Sequence, residues 1–298
     1  MNLFSNKVRT LIKNNLEYLL FIILPILVYI IFFILPNAYS FYLSLFRWSG
    51  LDEMKFVGLR NFIEMFTIGN SFITALKNTV IYTITVTIGQ NVLGLLIAVL
   101  IYKNSKFHNI LRTVYFLPAI FSSVAVGFIW GFILDPNLGI VNNFLYLIGL
   151  DSLAKAWLGD PQIVMYAIAL VHIWVGIGYS MILFITGIQQ IPDELYESAD
   201  IEGANKWQSF VYVTLPLLKS TVMVLVVLTT IGSFKAFDYV FILTGGGSAG
   251  QADVLATLVF KEGFTYSRLG YSSAVAVMLL FIVSIISFCQ MYLLRDKE

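Results

Sequence analysis

The sequence predicts an all-α membrane protein: one bundle of six transmembrane helices, with residues 1–298 forming a single domain. Three observations carry that prediction. Of the 298 residues, 59% are hydrophobic and only 12% are charged. Mean hydropathy is +0.86, whereas a soluble domain is about half apolar and about a quarter charged. Six apolar runs, near 18–35, 78–102, 110–134, 163–185, 217–243 and 271–294, approach or exceed the roughly 20 residues that a helix needs to cross hydrocarbon. Only helices and closed barrels satisfy every backbone group in lipid. These runs are too long and too uniformly apolar for barrel strands, which alternate over about ten residues.

The first run follows Lys7, Arg9 and Lys13. It exceeds the apolar core of a signal peptide, about 7–15 residues, and reads as an uncleaved span. The second and third runs are separated by a short link holding Lys103, Lys106 and Arg112. Basic residues in short flanks mark the cytoplasmic side, so this link and the amino end are expected inside. The loop 135–160 carries one basic residue, Lys155, and is expected outside. Alternation then places the link 186–216 and the tail 295–298 in the cytoplasm. Arg47, Lys55, Arg60 and Lys77, between the first two runs, go against the rule but are spread over a longer segment.

Composition also excludes classes. A net charge of +1 gives no pull toward nucleic acid. Cys289 is the single cysteine, so there is no internal disulfide and no thiolate metal cluster; it reads as apolar filler. His108 and His172 have no neighbours at metal-ligand spacing and read as packed or interfacial. No internal repeat of the kind seen in secondary transporters is visible. Gln90 and Asn91, inside the second run, read as bonds between helices. Lys235, the one basic residue well inside a run, can snorkel or pair with Asp238 at i+3, or hold an anionic solute.

The link 186–216 is too patterned for a plain loop. Pro192 suits a first helical turn, Asp193 and Glu194 suit its positive end, and Gly203 ends or bends the helix. A second helix follows, with Trp207, Phe210, Val211 and Thr214 at i, i+3, i+4, i+7, and Pro216 opens the fifth run. Physics alone leaves two readings level: a plug for a docked partner, or an amphipathic interfacial link.

The stretch Glu197-Ser198-Ala199-Asp200-Ile201-Glu202-Gly203-Ala204, followed in register by Phe210, Val213, Leu215 and Pro216, resembles the signature loop of ABC importer permeases, E-A-A-x-x-D-G-A then F-x-x-I-x-L-P. Ser198, Glu202 and Val213 are conservative departures. "FVGLRNF" (56–62), "NTVIYT" (78–83), "GLLIAVLIY" (94–102), "IWVGIGYSMILFITGIQQIPDELYESA" (173–199), "FDYVFILTGGG" (237–247) and "GYSSAVAVMLLF" (270–281) extend the likeness to the carbohydrate-uptake branch. Within it, the chain resembles the first permease of the maltose and glycerol-phosphate type.

This resemblance implies a six-helix ABC importer permease bundle with a cytoplasmic coupling-helix loop, in the bacterial plasma membrane with both termini inside. It implies a binding-protein-dependent sugar importer working by alternating access. Glycerol 3-phosphate or another polyol is the alternative cargo, and an ion-coupled secondary transporter the distant one. The implied partners are a second permease, two cytoplasmic ATPase subunits and an external solute-binding protein. ATP and magnesium belong to the ATPases; this chain is no enzyme and binds no cofactor or metal. Glu197, Ala199, Glu202, Gly203 and Ala204 are the expected coupling residues. Val175, Gly176, Tyr179, Thr229, Gly232 and Ser233 are the expected substrate pathway, with hydroxyls for sugar hydroxyls and an aromatic face for a pyranose. Thr229, Gly232, Ser233 and Ala236 share a helical face by spacing.

The stretch "LTGGGSAGQ" (243–251) mimics the spacing of a phosphate-cradling loop, but Gln251 and Ala252 replace the lysine and hydroxyl that chemistry needs. It resembles the T-x-G-G-P turn of sugar permeases, with Ser248 for proline. Gly245, Gly246 and Gly247 are therefore expected contacts for the external binding protein.

Overall fold

A computed structural model describes residues 21–245 and 252–294. Among the described residues, four helices are long and apolar enough to cross a membrane: α1 (Phe21–Ser44), α3 (Ser71–Ile101), α7 (Val164–Ile188) and α13 (Leu269–Leu294). Two bent pairs bring the number to six if each counts as one span. One is α4 (Lys106–Ile120) with α5 (Ser123–Ile133), bent by 96°; the other is α9 (Lys206–Leu217) with α10 (Lys219–Phe234), bent by 66°.

The bends have local causes. Pro118 tightens the end of α4 into a 3-10 turn, and the Ser122 hydroxyl accepts the Val124 N–H to start α5 afresh. In the other pair, a π stretch at Phe210–Thr214 and Pro216 precede the break at Leu218. The fifth apolar run breaks again at 235–237, before a short helix α11 (Asp238–Leu243). Single runs in the sequence at 110–134 and 217–243 are thus bent or interrupted helices.

The helices α3 and α7 form the spine and run parallel. Tyr82 and Val86 share one buried cluster with Ile168 and Val171, while Ala98 and Ile101 share another with Met181 and Phe184. That pairing defines two ends of the bundle. At one end, the hairpin β1 (Phe46–Arg47) and β2 (Lys55–Phe56) pairs antiparallel, and α2 (Arg60–Thr67) packs behind it. Short helices α6 (Ile140–Leu147), α8 (Asp193–Ile201) and α12 (Leu255–Phe260) lie between the longer ones, α8 at the opposite end, and a π stretch Lys261–Thr265 follows α12.

At that opposite end, the carbonyls of Ile101, Tyr102 and Lys103 all accept from the Arg112 guanidinium. These are groups a helix terminus would otherwise leave unsatisfied. Arg112, counted in the sequence only as a charge, is the cap of α3. By contrast, α1 buries none of its most apolar window and touches the bundle mainly through α13, for instance Phe41 edge-on to Phe281. Cys289, expected as small apolar filler, is exposed on α13; in an apolar span that face meets lipid or a neighbour rather than this chain's own core.

Candidate functional site

The segment after α7 builds a fixed helix–turn–helix from local rules. Pro192 caps α8, and Asp193 and Glu194 occupy its first turn. At its far end the Gly203 N–H donates to the Asp200 carbonyl, and the Ala204 N–H reaches back to the Ala199 carbonyl at 2.9 Å. This is the doubly bonded helix ending that requires a left-handed residue, and Gly203 has φ of +80°. Asn205 then forms a capping box with Gln208, bonds of 2.8 and 2.9 Å running both ways. Nothing in the turn is left loose.

Two contacts tie this unit to the bundle. The Tyr196 hydroxyl meets the Thr214 hydroxyl at 2.9 Å. Ile191 is buried with Ile188, Leu218 and Leu225, and Tyr196 and Val213 pack against that cluster. The outer surface is what remains. Glu197, Glu202 and Gly203 are exposed, Ala199 and Ala204 half-buried. Ile201 is 87% exposed and Trp207 70% exposed. Of the expected apolar stripe, Thr214 faces the bundle and Phe210 and Val211 are half-buried, but Trp207 points out and only stacks obliquely on Phe210. The helix begins one turn outside the bundle, so among the described residues its first stripe residue has only the Phe210 ring beside it.

The six expected pathway residues fall into two groups. Tyr179 on α7 is 46% exposed, and a Cβ at Gly232 on α10 would meet no atom within 4 Å. Those two positions open away from the packed core. Thr229 and Ser233 turn inward, at 8% and 2% exposure. Thr229 accepts from the Asn91 amide at 2.9 Å, whose oxygen in turn accepts from Ser180, while Ser180 accepts from Gln90 at 2.9 Å. Val175 and Gly176 are half-buried, and a Cβ on Gly176 would collide with the Gln90 amide. So the expectation of one open small-residue face on α10 needs correcting. Thr229 belongs to an interhelical polar network across α3, α7 and α10, and the Ser233 hydroxyl is buried with no partner among the described residues.

Ser180 is the member of this network that the sequence did not single out; its only signal was a hydroxyl one residue after Tyr179. His172 packs as expected, its Nδ1 2.7 Å from the Tyr82 hydroxyl. Lys235 caps the end of α10 and is exposed. The pairing with Asp238 is not formed, because Asp238 accepts from Ser123 at 2.9 Å instead. Among the described residues, no three His, Cys, Asp or Glu side chains come together as a metal site would need. Gly245 is exposed with φ of +63°, which suits a chain reversal; Gly246 and Gly247 lie outside the described residues.

Comparison with known proteins adds to this geometry. Residues 90–297 match the family model for binding-protein-dependent transport system inner membrane components. The chain is similar to the probable ABC transporter permease YurN of Bacillus subtilis, 39% identical over 282 residues, covering 94% of this chain and 96% of the relative. It is similar also to MsmF of Streptococcus mutans, a permease of a multiple sugar-binding transport system, 32% identical over 93% of this chain and 95% of the relative. Among solved structures, it resembles a chain of a bacterial alginate ABC transporter in complex with an alginate pentasaccharide-bound periplasmic protein. There the TM-score is 0.80 and identity 25%, over 94% of this chain and 95% of that one.

Proposed function

The chain belongs to the family of binding-protein-dependent transport system inner membrane components, and from that premise we propose how its parts serve import. It is the membrane-spanning permease of an ABC importer, a transport component rather than an enzyme, and its cargo is a sugar or oligosaccharide. It works with partner subunits of that system. In our reading these are a second permease, two ATPases that bind ATP and magnesium on the cytoplasmic side, and a solute-binding protein outside. In the same reading both termini of this chain lie in the cytoplasm, which the basic flanks support.

The observation that carries the coupling role is the wiring of the 189–217 segment. Its outward surface, with Glu197, Glu202, Gly203 and the apolar Ile201, has no cover from the described residues. Its inward surface is bonded through Tyr196 to Thr214 and packed on the ends of α7 and α10. Movement imposed by an ATPase on the outward surface therefore tilts two spans without first bending a loop. Ala199 and Ala204 keep the docking surface close to the helix axis. Alternating access follows: closure of the ATPases draws the loops together and opens the pathway outward, and release reverses it. Tyr179 and Gly232 offer an aromatic face and free space for the sugar on that pathway; Val175 and Gly176 are half-buried on the helix that carries Tyr179, and the buried Thr229 and Ser233 support the wall from behind. Gly245 to Gly247 meet the binding protein.

The test is purification of the tagged chain from its host, reconstitution of whatever complex comes with it, and uptake of radiolabelled maltotriose or raffinose. We expect an ATPase and a second permease in the complex, and uptake that needs internal ATP and the external binding protein. Uptake that ignores ATP and follows an imposed ion gradient would make it a secondary transporter instead.

A further inference from the structure

At the end of the bundle opposite the 189–217 segment lies a cavity of about 600 Å³ that belongs to neither the coupling loop nor the membrane pathway. Its walls are the hairpin with its loop (Arg47, Trp48, Ser49, Asp52, Glu53, Lys55), α2 (Asn61, Glu64) and the turn into α13 (Ser267, Arg268, Tyr271). That volume lies within the range of small-molecule sites, about 300–1,000 Å³.

The walls are held in place before any ligand arrives. Buried Asn61 donates to the carbonyls of Ser44 and Phe46 at 2.8 and 2.9 Å. The Gly270 N–H donates to the Trp48 carbonyl. Arg268 joins Glu64 to Glu262 and covers the Tyr271 ring, 4.3 Å from its centroid. The Trp48 indole N–H is spent on the Asp52 carbonyl at 3.0 Å, and Asp52 also accepts from Ser49. A half-buried indole fixed by its edge leaves its face as contact surface.

The charges then select the ligand. Arg47, Lys55 and Arg268 balance Asp52, Glu53 and Glu64, so the lining is neutral overall. Arg268 is already paired, whereas Arg47, Lys55 and Glu53 form no ion pair among the described residues. Arg47, Lys55 and Glu53 thus carry both signs, so a ligand of either charge meets a like charge on the wall. A neutral ligand rich in hydroxyls can accept from the cations, donate to the carboxylates and lay an apolar ring face on Trp48. We propose that this cavity is a saccharide subsite at the outer mouth, taking the end of a neutral oligosaccharide before it reaches the membrane pathway. The inference rests on the importer reading and on the external side that reading gives this end.

The test uses the intact importer in lipid nanodiscs with no binding protein added. Saturation-transfer NMR measures binding of maltotriose, raffinose and arabinotriose, with trigalacturonate as the charged probe. At least one neutral sugar should bind saturably, and Trp48→Ala and Glu53→Gln should each weaken it by about tenfold or more. Glu53 is exposed and has no hydrogen bond or ion pair among the described residues, so its variant is expected to fold as the parent does. Retained basal ATP hydrolysis in both variants checks assembly. If no neutral sugar binds, if trigalacturonate binds more tightly, or if neither substitution moves the affinity, the subsite is wrong while the importer stands. If the complex hydrolyses no ATP and imports nothing, the importer reading fails and takes the subsite with it.

Discussion

The hydroxyl of Tyr196 lies 2.9 Å from the hydroxyl of Thr214, so one bond joins the acidic helix α8 to the helix that leads back into the bundle. A bond of this kind contributes about 0.5–1.5 kcal/mol net. Tyr196→Phe removes it and keeps the ring in its cluster. The variant should assemble normally and hydrolyse ATP, yet import roughly threefold to tenfold less sugar per ATP. Paired measurements of ATP hydrolysis and uptake in proteoliposomes check this, and an unchanged ratio would mean that packing alone carries the stroke.

At Gly203 the constraint is conformational, not steric. A Cβ there would touch nothing within 4 Å, but the residue has φ of +80°. A left-handed conformation costs an ordinary residue about 1–2 kcal/mol, and asparagine less. Gly203→Ala should therefore disturb the angle between the two helices and cut uptake, with Gly203→Asn closer to the parent. Both should insert in full amounts. Equal uptake in Gly203→Ala and the parent would remove the turn from the coupling mechanism. Loss in Glu197→Ala with normal insertion would independently place that exposed carboxylate at the ATPase.

Where the sequence was legible, the reason was local. Apolar length marked the spine helices, and Pro192, Asp193, Gly203 and the residues after it spelled out the helix–turn–helix before any contact was known. The bends were hidden because hydropathy counts apolar residues without regard to direction, so Pro118 and Ser122 vanish into one run. Thr229 and Gly232 share a side of α10 by spacing, yet one is buried and the other open. Helical spacing orders a face but does not say which arc of it a neighbour covers. The Gln90–Ser180 bond joins residues 90 apart in sequence, and nothing local announces it. The hairpin was missed because its strands are two residues each; Arg47 and Lys55, two of the basic residues that strained the orientation rule, line the cavity at that end of the bundle.

The polar network predicts a separation between stability and transport. Asn91→Leu and Thr229→Val should each lower the melting temperature of the purified complex, and the double variant should lose less than their sum. The coupling between such pairs in membranes averages about 0.6 kcal/mol, so the non-additivity should be small but resolvable. Tyr179→Ala, at an exposed position, should instead lower uptake with little change in melting temperature. A stable, fully active Tyr179→Ala importer would take that ring out of the sugar pathway.

Glu262 tests the electrostatics of the hairpin end of the bundle. The residue lies between the short helix α12 and α13, outside the spans, at 7% exposure. Burial pushes its carboxyl above the ordinary value near 4.5, while the Arg268 guanidinium pulls it back down. Burial is the larger effect, and that fixes the sign. A carboxyl whose folded value is raised binds its proton more tightly in the folded state, so its contribution to stability is greatest below the unfolded value and is lost as pH rises through the folded one. Glu262→Gln cannot ionise. Arg268 keeps Glu64 as a partner in that variant. The melting temperature of the variant should therefore overtake that of the parent as pH is raised from the acid range toward neutrality. If the parent instead gains on the variant over that range, the ion pair with Arg268 outweighs the cost of burying the carboxylate.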